Sequence, residues 1–121
     1  MDMKIRVSRK SGFTLLEIMI VVSLIGTMAA IAVPNMIKAR TESQKDICIN
    51  NLRQINSAIQ QWAVETKQPA TAAVSETDVT PYMRSKAICP SGGTSFSDSY
   101  QVSTVSDSAV CLKVPATHLL P

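Results

Sequence analysis

Hydrophobic residues fill the first third of the chain almost without interruption. Residues 13–33 form a run of 21 positions in which Glu17 is the one charged residue, and the sequence has no charge from Ile18 to Ile37. In a helix that rises about 1.5 Å per residue, about 20 apolar residues cross a hydrocarbon core about 30 Å thick. The pattern therefore predicts a membrane-spanning helix over residues 13–34.

Beyond Pro34 the pattern becomes that of an amphipathic helix. Apolar residues recur three or four positions apart and so share one helical face, which we call the apolar stripe. It consists of Cys48, Leu52, Ile55, Ile59 and Trp62. No Gly or Pro interrupts the chain until Pro69, so we predict a soluble amphipathic segment over 35–68 and one helix from about Phe13 to Thr66. Because Pro lacks an N–H and crowds the preceding turn, a kink or local unwinding is expected at Pro34.

The remainder, residues 69–121, predicts a loop followed by a small sheet. Alternation with period two over 100–105 and over 110–114 indicates two strands joined by a turn at 106–108, and a shorter strand over 94–97 is a further candidate. The loop ahead of them has one capped helical turn at 75–78. The fold class is therefore α+β, with a long N-terminal helix whose stripe packs on a small antiparallel sheet.

Charge is concentrated at the N-terminus. The chain has 12 basic and 9 acidic residues, but residues 1–12 hold four of the bases and one acid, so the remainder is neutral. The basic character therefore does not indicate a nucleic-acid partner. Basic flanks of membrane segments stay cytoplasmic, which would place the C-terminal part across the membrane in an oxidising compartment.

Two conventional interpretations of the N-terminus remain open. A cleaved secretory signal would use the small residues 30–32 as its cut site and leave Val33 as the first mature residue. An uncleaved signal anchor would hold a non-polymerising binding domain at the membrane. Neither explains Glu17, because an acid inside hydrocarbon costs roughly 2.5–3.5 kcal/mol even on lenient scales.

The stretch KSGFTLLE, residues 10–17, resembles the leader and cleavage site of type IV pilins and of the pseudopilins of type II secretion and competence systems. The resemblance covers residues 4 to about 40 and implies a leader over 1–12, cleavage between Gly12 and Phe13 by a prepilin peptidase, and N-methylation of Phe13. It also implies that Glu17 pairs with the new amine of a neighbouring subunit. Together with Pro34, which matches the family's usual position, Gly26 would mark a stretch that bends or unwinds.

The resemblance implies a structural subunit of a helical filament, and not an enzyme. The preferred function is a pseudopilus subunit in protein secretion, with a type IV pilus for adhesion, motility or DNA uptake as the alternative. The expected partners are copies of the same chain, minor pilins or pseudopilins, prepilin peptidase, an inner-membrane platform and ATPase, and membrane lipid before assembly. The subunit would wait in the inner membrane with a periplasmic C-terminal domain and then join a periplasmic or extracellular filament.

Few residues are candidates for a disulfide or a metal site. Three cysteines allow three pairings, of which we favour a disulfide between Cys89 and Cys111, closing a loop of 21 residues and contributing roughly 3 kcal/mol. Cys48 belongs to the apolar stripe. No cofactor or metal is expected, since there is no Cys-x-x-Cys and the single histidine, His118, lies near an end expected to fray. A calcium site at Asp98 and Asp107, as in some major pseudopilins, is a weaker alternative to ordinary surface turns.

Overall fold

The computed structural model describes residues 11–121, so most of the predicted leader lies outside the described residues. A long helix, α1, spans Leu15–Thr66, and two single-turn helices follow, α2 at Glu76–Val79 and α3 at Phe96–Ser99. Strands β1 and β2 span Tyr100–Gln101 and Val110–Cys111. The predicted long helix is confirmed to within two residues at its start and ends at the expected residue.

The chain divides into two compact units, one ending at Ile37 and one beginning at Lys38. In the first unit α1 starts directly after Thr14, whose Oγ1 accepts a hydrogen bond of 3.2 Å from the Glu17 N–H. A hydroxyl in this position satisfies one of the free N–H groups of the first turn. The helical backbone continues through Gly26 and Pro34, and the bend expected there stays a prediction.

The second unit has its core on the apolar stripe. Cys48, Leu52, Ile55 and Ile59 are buried on this face of α1, and Trp62 is half-buried beside them. Residues from the loop, α3 and both strands cover the stripe, among them Val79, Phe96 and Tyr100. The prediction that the stripe packs on the C-terminal third is therefore confirmed.

The sheet is smaller than predicted. Tyr100 pairs with Cys111 and Gln101 with Val110 in an antiparallel register, and a separate bridge joins Ala73 to Thr104. Tyr100 and Cys111 face the core, whereas Val110 is exposed. Period two therefore located the strands, but the buried position in β2 is the cysteine and not its apolar neighbour.

The candidate strand over 94–97 is wrong, because this segment enters helix α3 instead. Ser95 Oγ accepts the Asp98 N–H at 3.3 Å, and the Ser99 hydroxyl donates to the Ser95 carbonyl at 2.6 Å. Serine side chains compete in this way for backbone groups and favour helix caps over strands. The capped turn predicted at 75–78 is confirmed as α2, where the Ser75 N–H donates to Asp78 Oδ2 at 2.9 Å.

Candidate functional site

The predicted cleavage point lies in accessible, non-helical backbone. Residues 11–14 precede α1, and the Phe13 side chain is 81% exposed. Even a side chain at Gly12 would meet no atom within 4 Å. Peptidases act on exposed backbone outside regular structure, and the residues on both sides of the bond between Gly12 and Phe13 are exposed and non-helical.

Glu17 is the third residue of α1 and lines a shallow pocket together with Ser11, Gly12 and Phe13. The carboxyl group therefore lies one helical turn from the residue that would carry the new amine. An acid in the first turn also interacts favourably with the positive end of the helix dipole. Glu17 therefore places a carboxyl group beside the predicted cleavage point.

The apolar surface of the N-terminal unit is uncovered in the single chain. Over residues 13–37 the large hydrophobic side chains are all exposed, from Val21 at 47% to Phe13 at 81%. Among residues 11–121, α1 is the helix that is long and apolar enough to cross a bilayer. The hydroxyls of Ser23 and Thr27 donate to carbonyls within this helix, both at 2.8 Å, so they do not need water. This segment fits a membrane anchor.

A second cluster of chemically active side chains lies in the C-terminal unit. We call it the cysteine–histidine cluster, and its members are Cys48, Cys89, Cys111 and His118, each at most 4% exposed. Their sulfur and nitrogen atoms all lie within 4.8 Å of one another. The Cys111 and Cys89 sulfurs are 3.7 Å apart, and the Cys111 sulfur is 3.8 Å from His118 Nδ1.

The predicted disulfide partners are thus brought together, but all three cysteines are thiols in this structure. The disulfide between Cys89 and Cys111 stays a prediction. The expectation that His118 lies in a frayed end is wrong. Its side chain is buried, and its N–H donates to the Val114 carbonyl at 3.1 Å, which closes a turn after β2.

The local environment shifts the pKa values of Cys48, Cys111 and His118 in different ways. Burial raises the pKa of Cys48 to about 12, although the Tyr100 hydroxyl donates to its sulfur at 3.5 Å. At Cys111 burial also acts to raise the pKa, but hydrogen bonds from the Val114 backbone and from Cys48 outweigh it, so the pKa is lowered. Burial, with the Lys45 charge, lowers the pKa of His118, which keeps the imidazole neutral at neutral pH.

The two aspartates considered for calcium lie in surface turns. Asp98 accepts hydrogen bonds from Lys113 Nζ at 2.6 Å and from the Thr94 N–H at 3.3 Å, and Asp107 accepts one from the Thr104 hydroxyl at 2.7 Å. Within the part of the chain that the structure describes, the cysteine–histidine cluster is the one grouping of three or more metal-ligating side chains. Neither aspartate belongs to it.

The N-terminal motif matches a known protein family. Residues 7–33 match the family described as the prokaryotic N-terminal methylation motif. The type IV major pilin protein PilA of Myxococcus xanthus is 48% identical over 50 residues, which are 41% of this chain and 23% of that protein. No solved structure matches the chain.

Similarity to a second group extends into the C-terminal unit. The type II secretion system core protein G of Klebsiella pneumoniae is 30% identical over 91 residues, which are 70% of this chain and 63% of that protein. The corresponding protein of Pectobacterium carotovorum is 29% identical over 82 residues, 63% of this chain and 53% of that protein. The chain spans less than two thirds of the length of these relatives. With its methylation motif and its exposed apolar helix, the chain is similar to type IV pilins over its N-terminal part and to type II secretion core protein G over a longer stretch.

Proposed function

We propose that the chain is a structural subunit of a helical pilus-like filament, a pseudopilus that acts in protein secretion. The observation that carries this proposal is the uncovered apolar surface of α1, with Glu17 beside the accessible bond between Gly12 and Phe13. Soluble monomers rarely expose apolar patches larger than a few hundred square ångströms. Lipid would cover this surface before assembly, and the helices of neighbouring subunits would cover it afterwards.

Processing would prepare the subunit for assembly. A prepilin peptidase would cleave after Gly12 and methylate the amine of Phe13, leaving a cation at the head of an apolar helix. A cation and a carboxylate are each costly in hydrocarbon, but they become tolerable when they are paired. Glu17 of one subunit would pair with the Phe13 amine of its neighbour and so fix the register between helices, as buried polar groups do in coiled coils.

The proposed location follows from charge and hydrophobicity. The basic segment before Gly12 would stay cytoplasmic, α1 would cross the inner membrane, and the unit from Lys38 onward would lie in the periplasm. An inner-membrane platform and an ATPase would move the subunit out of the bilayer into the filament, alongside minor pseudopilins. The chain would be a scaffold for these partners and not an enzyme.

Two alternatives are kept. A pilin of a type IV pilus, for adhesion, motility or DNA uptake, is supported by the 48% identity to a major pilin, which covers 41% of this chain. The pseudopilin proposal is preferred because the similarity to core protein G covers 70% of the chain. A secreted or anchored binding module that does not polymerise is the second alternative, and it gives Glu17 no role.

Replacing the acid tests the proposal. We expect Glu17→Ala to be cleaved normally but to abolish or strongly impair filament formation, which can be followed by shearing and immunoblotting. Glu42→Ala is the matched control, because Glu42 is an exposed acid on the same helix but lies beyond the apolar segment. Normal filaments from Glu17→Ala would contradict the pairing of acid and amine.

A deletion strain separates the two filament functions. Loss of protein secretion, with motility and DNA uptake intact, is expected for a pseudopilin. Loss of motility or DNA uptake with normal secretion would favour the type IV pilus. If the deletion strain keeps all of these functions, and the chain does not sediment as a filament in the parent strain, the non-polymerising module would be favoured.

A further inference from the structure

We propose that Cys48, Cys89, Cys111 and His118 form a structural zinc site that holds the C-terminal unit together. This inference does not depend on the proposed function, since it concerns the folding of one unit. It is carried by the positions of four ligand atoms from four separate segments of the chain, which meet in the core.

The distances match those of a tetrahedral site. Zinc–sulfur bonds of about 2.3 Å at tetrahedral angles place two sulfurs about 3.8 Å apart, and a nitrogen ligand at about 2.0 Å lies about 3.5 Å from a sulfur. The observed separations are 3.7 Å between the Cys89 and Cys111 sulfurs and 3.8 Å from the Cys111 sulfur to His118 Nδ1. Small side-chain rotations would bring the four atoms, which are all within 4.8 Å of one another, around one ion.

The donor set selects the metal and its role. Three thiolates and one imidazole suit zinc, a borderline-soft ion, whereas calcium and magnesium bind through oxygen. Four protein ligands complete a tetrahedron and leave no open position for water or substrate, so the site would be structural. The cluster members are at most 4% exposed, which also excludes solvent.

The surroundings favour bound thiolate at Cys111. The backbone N–H groups of Val114 and Lys113 form hydrogen bonds with its sulfur. Donors of this kind stabilise a charged ligand and orient it toward the metal. Without a metal the buried cysteines stay protonated as neutral thiols, and a bound zinc would offset the charge of the thiolates that it requires.

The site would staple a unit that has little regular secondary structure outside α1. Cys48 lies on α1, Cys89 in a tight loop, Cys111 on β2 and His118 in the turn near the C-terminus. The sheet of this unit has only two residues in each strand. Domains of this size often use a metal or disulfide to supplement a small core, and metal binding then contributes directly to folding.

The favoured disulfide is the competing use of the same sulfurs. It would join Cys89 to Cys111 and leave Cys48 as a free thiol and His118 as an uncommitted imidazole. The zinc site needs all four groups. Cys48 and His118 are therefore the residues that distinguish the two arrangements.

The first experiment measures metal and thiols in the full-length chain, purified in detergent without chelator. Elemental analysis is expected to give one zinc per chain, and all three thiols should become reactive when the protein is denatured in the presence of a chelator. Absence of zinc, together with one reactive thiol and a mass lower by two hydrogens, would establish the disulfide and overturn the proposal. A chain with three thiols that binds neither added zinc nor cobalt(II) would also overturn it.

The second experiment tests the ligands. Cys48→Ser and His118→Gln are each expected to weaken zinc binding by at least about 10-fold, since even changes to the partners of metal ligands have that effect. Tyr82→Phe is the matched control, because it removes a hydroxyl that donates to Glu65 and contacts no member of the cysteine–histidine cluster. Zinc affinity unchanged in both ligand variants would refute the site.

If the ligand variants do not fold, cobalt(II) substitution of the wild-type chain decides the question. Thiolate-to-cobalt charge-transfer bands and intense visible bands of tetrahedral cobalt are expected. Weak bands typical of octahedral oxygen ligation would overturn the proposal.

Discussion

Replacing Ile55 by alanine tests whether the apolar stripe carries the stability of the C-terminal unit. Ile55 is fully buried on α1, and Ile47 on the same helix is 48% exposed. The two residues have the same side chain and the same secondary structure. Ile47→Ala is therefore a matched control in which burial is the main difference.

The expected magnitude follows from the atoms removed. Ile→Ala deletes three carbons, and about 0.8 kcal/mol per buried methylene gives about 2.4 kcal/mol for transfer alone. The cavity left in a packed core adds to this, so a loss of about 2–5 kcal/mol is expected for Ile55→Ala. The half-exposed Ile47 should lose about half of the transfer term without a cavity, or roughly 1 kcal/mol.

Urea unfolding of the full-length chain in mild detergent, with reduced thiols and a fixed zinc concentration, measures both values. Trp62 is the single tryptophan and is half-buried against the core, so its fluorescence reports on the unfolding of this unit. The free energy of unfolding should fall at least twice as far for Ile55→Ala as for Ile47→Ala. Equal losses would show that the stripe does not face the core as described.

Two further predictions concern Gly93 and the ion pair between Asp98 and Lys113. Gly93→Ala should lower the free energy of unfolding by about 1–3 kcal/mol, because an added Cβ would lie 2.1 Å from the Ser99 hydroxyl oxygen and 2.9 Å from backbone atoms of Cys89. Gly26→Ala, which meets no atom within 4 Å, is its control in the same urea titration, and equal effects would contradict the tight loop. The hydrogen bond from Lys113 lowers the pKa of Asp98 below its ordinary value of 3.8, so this pair stabilises the fold above that pH and the contribution is lost as the pH falls through the folded-state pKa. Asp98→Asn should therefore show a shallower loss of stability in acid, and an unchanged slope of unfolding free energy against pH would contradict this role.

The helix and its buried face could be predicted from the sequence because both depend on local periodicity. An uninterrupted apolar run, followed by spacings of three and four residues up to Pro69, specified α1 and the residues that α1 buries. The methylation motif could also be found in the sequence, since a basic stretch, Gly12, Phe13 and Glu17 lie close together in the chain, and cleavage after Gly12 stays a prediction.

The short elements were less predictable because side-chain hydrogen bonds determine them. Ser95 caps α3, so a segment with alternating polarity became a helical turn and not a strand. In β2 the periodicity was right, but Cys111 faces the core because it joins sulfur and imidazole groups from other segments. Tertiary contacts of this kind leave no local signal.

The cysteine–histidine cluster was missed for the same reason. Metal sites are usually found in a sequence through closely spaced ligand pairs, but here the ligands come from α1, a loop, β2 and the C-terminal turn. His118 follows Cys111 by seven residues, a longer interval than the closely spaced ligand pairs by which metal sites are usually found. The turn closed by the His118 N–H brings the imidazole back under the strand.

Identification of the mature N-terminus is the measurement that tests the central claim most directly. Mass spectrometry of the protein isolated from its native membrane should find N-methylated Phe13 as the first residue, followed by the sequence up to Glu17. A chain that begins at Val33 would show a cleaved secretory signal, and one that retains Met1 would show an uncleaved anchor. Either result would contradict the assignment of this chain as a processed filament subunit.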